Sequence, residues 1–157
     1  MTDQATTGVQ QSVTVPLAPE RAFELFVDEF QSWWPNEGTH SLSKTPQSFV
    51  MEAHEGGRWG ELDQDGDYQP WGRVLEVDRP ARILLAWQLT PEFAYDADPA
   101  KQTEVEVTFE PDEDGGTRVT LEHRGFEVWG EPGLEMRSSV QGGWGTLLER
   151  FAAHAAP

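Results

Sequence analysis

His123 is the residue of this sequence best placed to do chemistry, because it ends an alternating stretch whose other members are apolar. Val119, Leu121 and His123 share one phase of the segment 117–124, so a strand there turns the imidazole inward. A buried imidazole needs a hydrogen-bond partner and can also exchange protons near neutral pH. Two interpretations stay open: a core histidine, or a group that orients a ligand or acts as general acid or base, with Glu61 as a second acid/base group.

Metal chemistry finds little support in the residue types and spacings. The four histidines follow no metal-binding spacing: they are His40, His54, His123 and His154. The acidic run Asp63 to Asp67 resembles the start of a calcium loop, but Gly66 comes too early and Val74 stands where such a loop needs glutamate. The chain has no cysteine, which excludes disulfides, thiolate nucleophiles and cysteine-type zinc or iron–sulfur sites. We therefore expect no metal and no cofactor.

Charge and motif content exclude further classes of function. The sequence contains no phosphate loop, dinucleotide fingerprint, nucleophile elbow or zinc-protease motif. Its 28 acidic and 11 basic residues give a formal charge of −17, which opposes binding to a phosphate backbone. The polar start and the lack of any apolar run of about 18 residues argue against a signal peptide and a membrane span. We expect a cytoplasmic protein that binds neither nucleic acid nor membrane.

The size and aromatic content suit one domain. With 157 residues, the chain can form a single core, which we place at 8–156 behind a flexible N-terminus at 1–7. Seven tryptophans and eight phenylalanines are a large aromatic surface for this length. They predict either an ordinary aromatic core or an aromatic-lined cavity.

The elements that must position these residues are a run of strands between two helical segments. Phe23, Phe26, Val27 and Phe30 follow helical spacing after Pro19 and predict a helix that ends before Pro35. Strands are predicted at 12–17, 48–53, 58–62, 71–77, 82–90, 103–110 and 117–124. In the hairpin of the last two strands, one face carries the apolar residues and His123, and the other carries Glu104, Glu106 and Glu122.

A long helix is predicted from Pro132 onward. Its apolar side chains recur at helical spacing: Met136, Val140, Trp144, Leu147, Leu148 and Phe151. Twenty helical residues span about 30 Å, enough to cross a sheet of six or seven strands. Gly142, Gly143 and Gly145 oppose the helix by about 1 kcal/mol each. They suggest close approach of the helix backbone to the sheet or to a ligand, with the sheet preferred. Strands bracketed by helices predict an α+β protein with segregated layers.

Read in order, the segments of this chain resemble the SRPBCC or START-like superfamily, and within it the branch named after activators of the 90-kilodalton heat-shock protein ATPase. The supporting segments are the helix from Pro19 to Trp34, Gly56 to Trp59, Gly72 to Val77, Ile83 to Trp87, Thr117 to Phe126, and Gly143 to Leu148. The resemblance implies a helix-grip fold, in which a curved antiparallel sheet of six to seven strands wraps around the C-terminal helix, with short N-terminal helices. The acidic segment Ala94 to Ala100 departs from the pattern, and a surface loop or a lid over the cavity mouth could account for it.

Three functions follow from the resemblance and the residues. The first is binding of a small hydrophobic or aromatic molecule between sheet and helix, as similar bacterial single-domain proteins imply. The second is an enzyme of the cyclase, dehydratase or hydrolase type in the same cavity. The third is a co-chaperone or stress-response interaction module. A homodimer and a chaperone partner are left open.

The site proposed for the first function combines aromatic walls with two polar groups. Arg73 is expected to meet a carboxylate or phenolate, and His123 a hydroxyl or carbonyl. The candidate ligand-binding residues are Trp33, Met51, Trp59, Trp71, Arg73, Trp87, His123, Phe126 and Trp144.

Overall fold

The computed structural model describes residues 8–35, 41–42 and 46–156, so the predicted flexible segment 1–7 and most of the loop 36–45 lie outside the described residues. Seven strands form one antiparallel sheet in the order β1-β7-β6-β5-β4-β3-β2. The strands are β1 Gly8–Val15, β2 Ser48–Met51, β3 Arg58–Leu62, β4 Tyr68–Asp78, β5 Arg82–Trp87, β6 Thr103–Pro111 and β7 Thr117–Arg124. The helices are α1 Pro19–Phe23, α2 Phe30–Trp33 and α3 Glu131–Ala155, with 3₁₀ turns at Pro99–Lys101 and Phe126–Trp129. The predicted α+β helix-grip architecture is confirmed.

The long helix α3 begins one residue before the predicted Pro132 and buries the predicted stripe against the sheet. Its buried residues include Met136, Val140, Trp144, Leu147, Leu148 and Phe151. Its first turn contains a proline, where the missing N–H is not needed. No helix in the described part of the chain is long and apolar enough to cross a membrane.

The N-terminal helix is interrupted, which the sequence pattern did not predict. Between α1 and α2 the backbone widens into a π-helical turn at Glu24–Asp28, closed by a hydrogen bond from the Glu29 N–H to the Glu24 carbonyl. The wider turn lets the consecutive residues Leu25, Phe26 and Val27 all be buried, which a regular α-helix with one core-facing stripe does not achieve.

The β6–β7 hairpin has the predicted register. The inward residues are almost fully buried: Val105, Val107, Phe109, Val119, Leu121 and His123. On the opposite face, the Glu106 carboxylate accepts hydrogen bonds from Arg82 at 2.6 Å and from Arg124 at 2.9 Å. Both bonds lower the pKa of Glu106, and the bond from Arg124 has the larger effect. The alternation therefore separates an apolar inner face from a charged outer face.

Aromatic rings fill the space between sheet and α3 at the C-terminal end of the helix. Phe26 contacts Phe151 at 5.0 Å and Phe109 at 5.7 Å between ring centroids, while Trp33 contacts Phe151 at 5.3 Å. The Trp33 indole N–H donates to the Phe26 carbonyl at 3.1 Å. We call Phe23, Phe26, Phe30, Trp33, Phe109 and Phe151 the filled end of the core.

Candidate functional site

A cavity of about 470 Å³ lies between the middle of α3 and the sheet. Its described lining comes from α3, from two strands and from the segments that follow α2 and β5. The lining residues are Trp34, Ser41, Leu42, Trp71, Trp87, Leu89, Phe93, Ser139, Val140, Gly143, Trp144 and Leu147. Among these, five are aromatic, two are serines and none is charged. Such a volume and lining are typical of a site for a small apolar molecule.

The sheet wall consists of two tryptophans on neighbouring strands. Trp71 lies on β4 and Trp87 on β5, where Trp87 pairs with Gly72. A Cβ at Gly72 would lie 1.7 Å from the Ala86 carbonyl oxygen, so only glycine allows the two strands to approach this closely. This close backbone contact sets the spacing of the two strands that carry the indoles, and the Trp59 ring contacts both, with centroids 5.8 Å from Trp71 and 6.0 Å from Trp87.

The helix wall is a stripe of α3 residues at one- and four-residue intervals. Ser139, Gly143 and Leu147 form one row, and Val140 and Trp144 form the row beside it. Residues four apart lie one above the other on a helix. The stripe turns one side of α3 toward the cavity over about two turns.

His123 lies behind Trp144 and is completely buried. The Trp144 indole N–H donates to His123 Nδ1 at 3.0 Å, so Nδ1 is the acceptor and the ring proton is on Nε2. His123 Nε2 then donates to Thr103 Oγ1 at 2.8 Å. Burial lowers the pKa of His123 to about 3. The imidazole is thus neutral at physiological pH, uses both nitrogens within the protein and fixes the orientation of Trp144.

Glu61 is a buried carboxylate that connects two lining residues. It is completely buried on β3, and it accepts hydrogen bonds from the Trp71 indole N–H at 2.8 Å and from the Leu42 backbone N–H at 2.5 Å. A buried carboxylate is retained only where such donors satisfy it. Glu61 therefore positions part of the sheet wall and the loop residue Leu42 together.

Phe93 occupies a tight turn at the edge of the cavity. Its φ is +63°, and its ring lies 6.4 Å from Trp87 while remaining 42% exposed. The turn is held by hydrogen bonds from Phe93 N–H to the Thr90 carbonyl and from Thr90 N–H to the Ala94 carbonyl. A left-handed backbone is unfavourable for a bulky residue, so the turn places this ring at the cavity against its own backbone preference.

The structure brings only some of the sequence-predicted site residues to the cavity. Trp71, Trp87 and Trp144 line it, while Met51 and Trp59 border a small adjoining void of about 10 Å³. Trp33 belongs to the filled end, and Arg73 is half-buried on β4. Phe126 packs on His123, with 4.5 Å between the ring centroids. These three and His123 do not line the cavity. Ligand contact by any of the nine residues stays a prediction.

Several lining residues were missed by the sequence analysis. On α3, the spacing that identified Trp144 also predicts Val140, Gly143 and Leu147 on the same side of the helix. Leu42, Leu89 and Phe93 belong to connecting segments, where no periodicity reports which side chain faces inward. The tertiary fold alone brings them to the cavity.

The helix glycines do not pack against the sheet as preferred in the sequence analysis. A Cβ at Gly142 or Gly143 would meet no atom within 4 Å, whereas one at Gly145 would lie 3.4 Å from the Gln11 side chain. Gly142 is exposed and Gly143 lines the cavity. Contact with β1 therefore applies to Gly145 alone.

Comparisons with known proteins agree with this architecture. The family model described as Activator of Hsp90 ATPase homolog 1-like protein matches residues 16–156. The anthrahydroquino-Gama-pyrone synthase Txn09, complexed with SUM, is 33% identical over 97% of this chain and 99% of its own, with a TM-score of 0.65. The self-sacrificing resistance protein CalC from Micromonospora echinospora is 30% identical over 97% of this chain and 96% of its own, with a TM-score of 0.69. CalU16 from the same organism shares the fold at 20% identity, with 100% and 82% coverage and a TM-score of 0.60. A search of curated protein sequences finds no match.

Proposed function

The chain belongs to the Activator of Hsp90 ATPase homolog 1-like family, and we propose that it binds a small hydrophobic or aromatic molecule between its sheet and α3. The observation that carries the proposal is the cavity of about 470 Å³, whose described walls bear five aromatic rings and no charged side chain. Burying a flat apolar ligand there removes aromatic surface from water on both partners. The formal charge of −17 disfavours an anionic ligand.

The relatives support a small-molecule ligand. Txn09 is named as a synthase and was solved in a complex, and CalC is named as a resistance protein. Both match this chain at 30% identity or more over nearly its whole length. A cavity that holds a small organic molecule is a requirement common to synthesis and to binding.

A synthase-like activity in the same cavity is the second candidate, favoured by the 33% identity to Txn09. His123 does not supply its acid or base, because both ring nitrogens are bonded within the protein and its pKa is lowered to about 3. Glu61 accepts hydrogen bonds from Leu42 and Trp71 on its Oε1 and is not among the residues that line the cavity. Binding without turnover therefore fits the described residues better than proton transfer by either group.

A surface-interaction module gains less support. Among the described residues, the exposed large apolar side chains are Phe93, Tyr95, Val128 and Leu134. Phe93 already borders the cavity. A chaperone-docking role would call for a larger exposed apolar patch than these side chains provide.

Two adjacent serines of α3 provide a matched test. Both Ser138 and Ser139 are exposed, but only Ser139 lines the cavity. We expect the wild-type chain to bind acridone, a flat uncharged fluorophore, saturably and with one molecule per chain. Ser139→Trp places an indole in the cavity mouth and should weaken binding by roughly tenfold or more, whereas Ser138→Trp should leave it unchanged.

Fluorescence titration with the three proteins measures this directly. Uptake that rises linearly without saturation in the wild type, or equal weakening in both variants, contradicts binding in the cavity.

A further inference from the structure

The middle of α3 contains glycines that a stable helix does not need. Gly142, Gly143 and Gly145 lie within the continuous helix Glu131–Ala155, where each glycine is less favourable than alanine by about 1 kcal/mol. Gly145 faces the Gln11 side chain, whose amide donates to the Gln141 carbonyl at 3.0 Å. Gly143 has no such neighbour, because an added Cβ would meet nothing within 4 Å.

Gly143 lies at the centre of the helix stripe that faces the cavity. It is one helical turn after Ser139 and one turn before Leu147, and Trp144 follows it in the adjoining row. Each of these neighbours places a side chain at the cavity, and Gly143 places none. Side chains of a helix lean toward its N-terminus, so any side chain at 143 would extend over the surface beside Ser139. Glycine leaves this surface as a notch in which the helix backbone is bare.

We propose that Gly143 is the shape-selecting position of this cavity, where a flat uncharged ring system lies against the bare helix backbone between Ser139 and Leu147. The proposal rests on the binding function proposed above. A planar ring approaches a bare backbone more closely than a globular aliphatic group does, and it makes more contacts at van der Waals distance. The Ser139 hydroxyl at the edge of the notch can accept or donate one hydrogen bond to a polar substituent of the ring.

Gly142 provides the matched control, because it is exposed, lies in the same helical turn and likewise has no atom within 4 Å of an added Cβ. In the full chain, Gly143→Leu should weaken acridone binding by roughly tenfold or more, and Gly143→Ala by about threefold, because the added carbons occupy the notch. Gly142→Leu should leave the acridone Kd within about twofold of wild type.

Thermal unfolding separates loss of the notch from loss of the fold. The melting temperatures of Gly143→Leu and Gly142→Leu should both equal or exceed that of the wild type, since leucine favours the helix and its Cβ meets free space at either position. A melting temperature of Gly143→Leu clearly below that of Gly142→Leu would show that the space is not free and would overturn the proposal.

Shape selection completes the test. Wild type should bind acridone at least about tenfold more tightly than adamantanol, a globular uncharged alcohol, and Gly143→Leu should reduce this preference. If wild type binds acridone but Gly143→Leu binds it like Gly142→Leu, the inference fails and the proposed function stands. If wild type binds neither compound saturably, the proposed function fails and the inference falls with it.

Discussion

Two stretches of the same helix face the same sheet with opposite results. At the C-terminal end of α3, Phe151 is buried in the filled end of the core, and Leu148 is buried one turn before it, at 0% and 1% exposure respectively. In the preceding turns, Ser139, Val140, Gly143, Trp144 and Leu147 border a cavity of about 470 Å³. Secondary structure and hydrophobic spacing are continuous across both stretches. The sizes of the side chains and the local backbone conformation, rather than the overall architecture, therefore determine where the space between the sheet and α3 is filled.

The two stretches also differ in the hydrogen bonding of their indole groups and in the conformation of the backbone beside them. In the filled end, the Trp33 indole N–H has a carbonyl partner and the Trp33 carbonyl accepts from Arg150 Nε at 2.9 Å. Around the cavity, Trp87 and the neighbouring Trp59 bury indole N–H groups without a partner among the described residues, and Phe93 has a left-handed backbone. Unfavourable local features of this kind concentrate where function, not folding, constrains the residue.

The largest effect is expected from truncating neighbouring leucines on the two sides of this boundary. Leu148 belongs to the packed core and Leu147 lines the cavity. Leu148→Ala should lower the free energy of unfolding by about 3–5 kcal/mol, because a new void opens among packed side chains. Leu147→Ala should lower it by only about 2 kcal/mol, because the removed methyls already face empty space. Urea denaturation of both variants measures the difference.

Acridone titration of the same variants is the control. Leu147→Ala should retain saturable binding, since it enlarges a site that is already open. Equal losses of stability in the two variants would mean that the cavity is filled by protein in solution and would remove the contrast between the two stretches.

The next largest effect is the pH dependence of stability that His123 causes. This residue connects the cavity wall to the packed sheet. Burial lowers the His123 pKa from 6.5 to about 3, so between these values the unfolded chain binds a proton that the folded chain does not. Stability therefore rises with pH in this window and is lost as pH falls below 6.5. We expect wild type to lose about 2 kcal/mol of unfolding free energy between pH 7 and pH 5.

His123→Gln should remove most of this loss, whatever its own effect on stability at pH 7. Thr103→Val replaces the hydroxyl that accepts from His123 Nε2 by a methyl group and should retain the pH dependence, since the imidazole stays buried. The carboxyl groups with lowered pKa values, at Glu52, Asp63 and Glu106, affect stability mainly below the tested range. The same loss in His123→Gln as in wild type would contradict a neutral buried imidazole.

The smallest effect is expected at Phe93. Phe93→Ala and Phe93→Gly both remove the ring, but only glycine adopts the observed φ of +63° without strain. The glycine variant should be more stable than the alanine variant by about 1 kcal/mol, while both weaken acridone binding equally. Thermal unfolding of the two variants measures this difference in stability. Equal stability would show that the backbone relaxes out of the left-handed region once the ring is gone.

The sequence predicted the fold better than it predicted the cavity, and the residues show why. Alternation in β6 and β7 is a local signal, so the inward phase of Val105 and Leu121 could be read directly. The partner of His123 is Trp144, and the partners of Glu61 include Trp71 and Leu42. These pairs join separate elements, and no spacing along the chain reports them.

Gly143 shows the same limit in a different way. Its cost to the helix was visible in the sequence, and a ligand or the sheet were both open as reasons. Sequence alone could not distinguish empty space from close packing, because both favour glycine. The interrupted N-terminal helix is similar, since the spacing of Phe23, Phe26 and Phe30 does not distinguish an α-helix from one with a single π-helical turn.

The hydrogen bond between Trp144 and His123 determines how selective the cavity can be. Because the indole N–H groups of Trp144 and Trp71 are both bonded within the protein, these two side chains offer a ligand their ring surfaces and no donor. Apolar walls distinguish ligands by volume, at about 1–3 kcal/mol per methylene, and they scarcely reject an analogue that only adds a hydroxyl group. A ligand of the proposed kind should therefore compete with close chemical relatives, including oxygenated variants of the same skeleton.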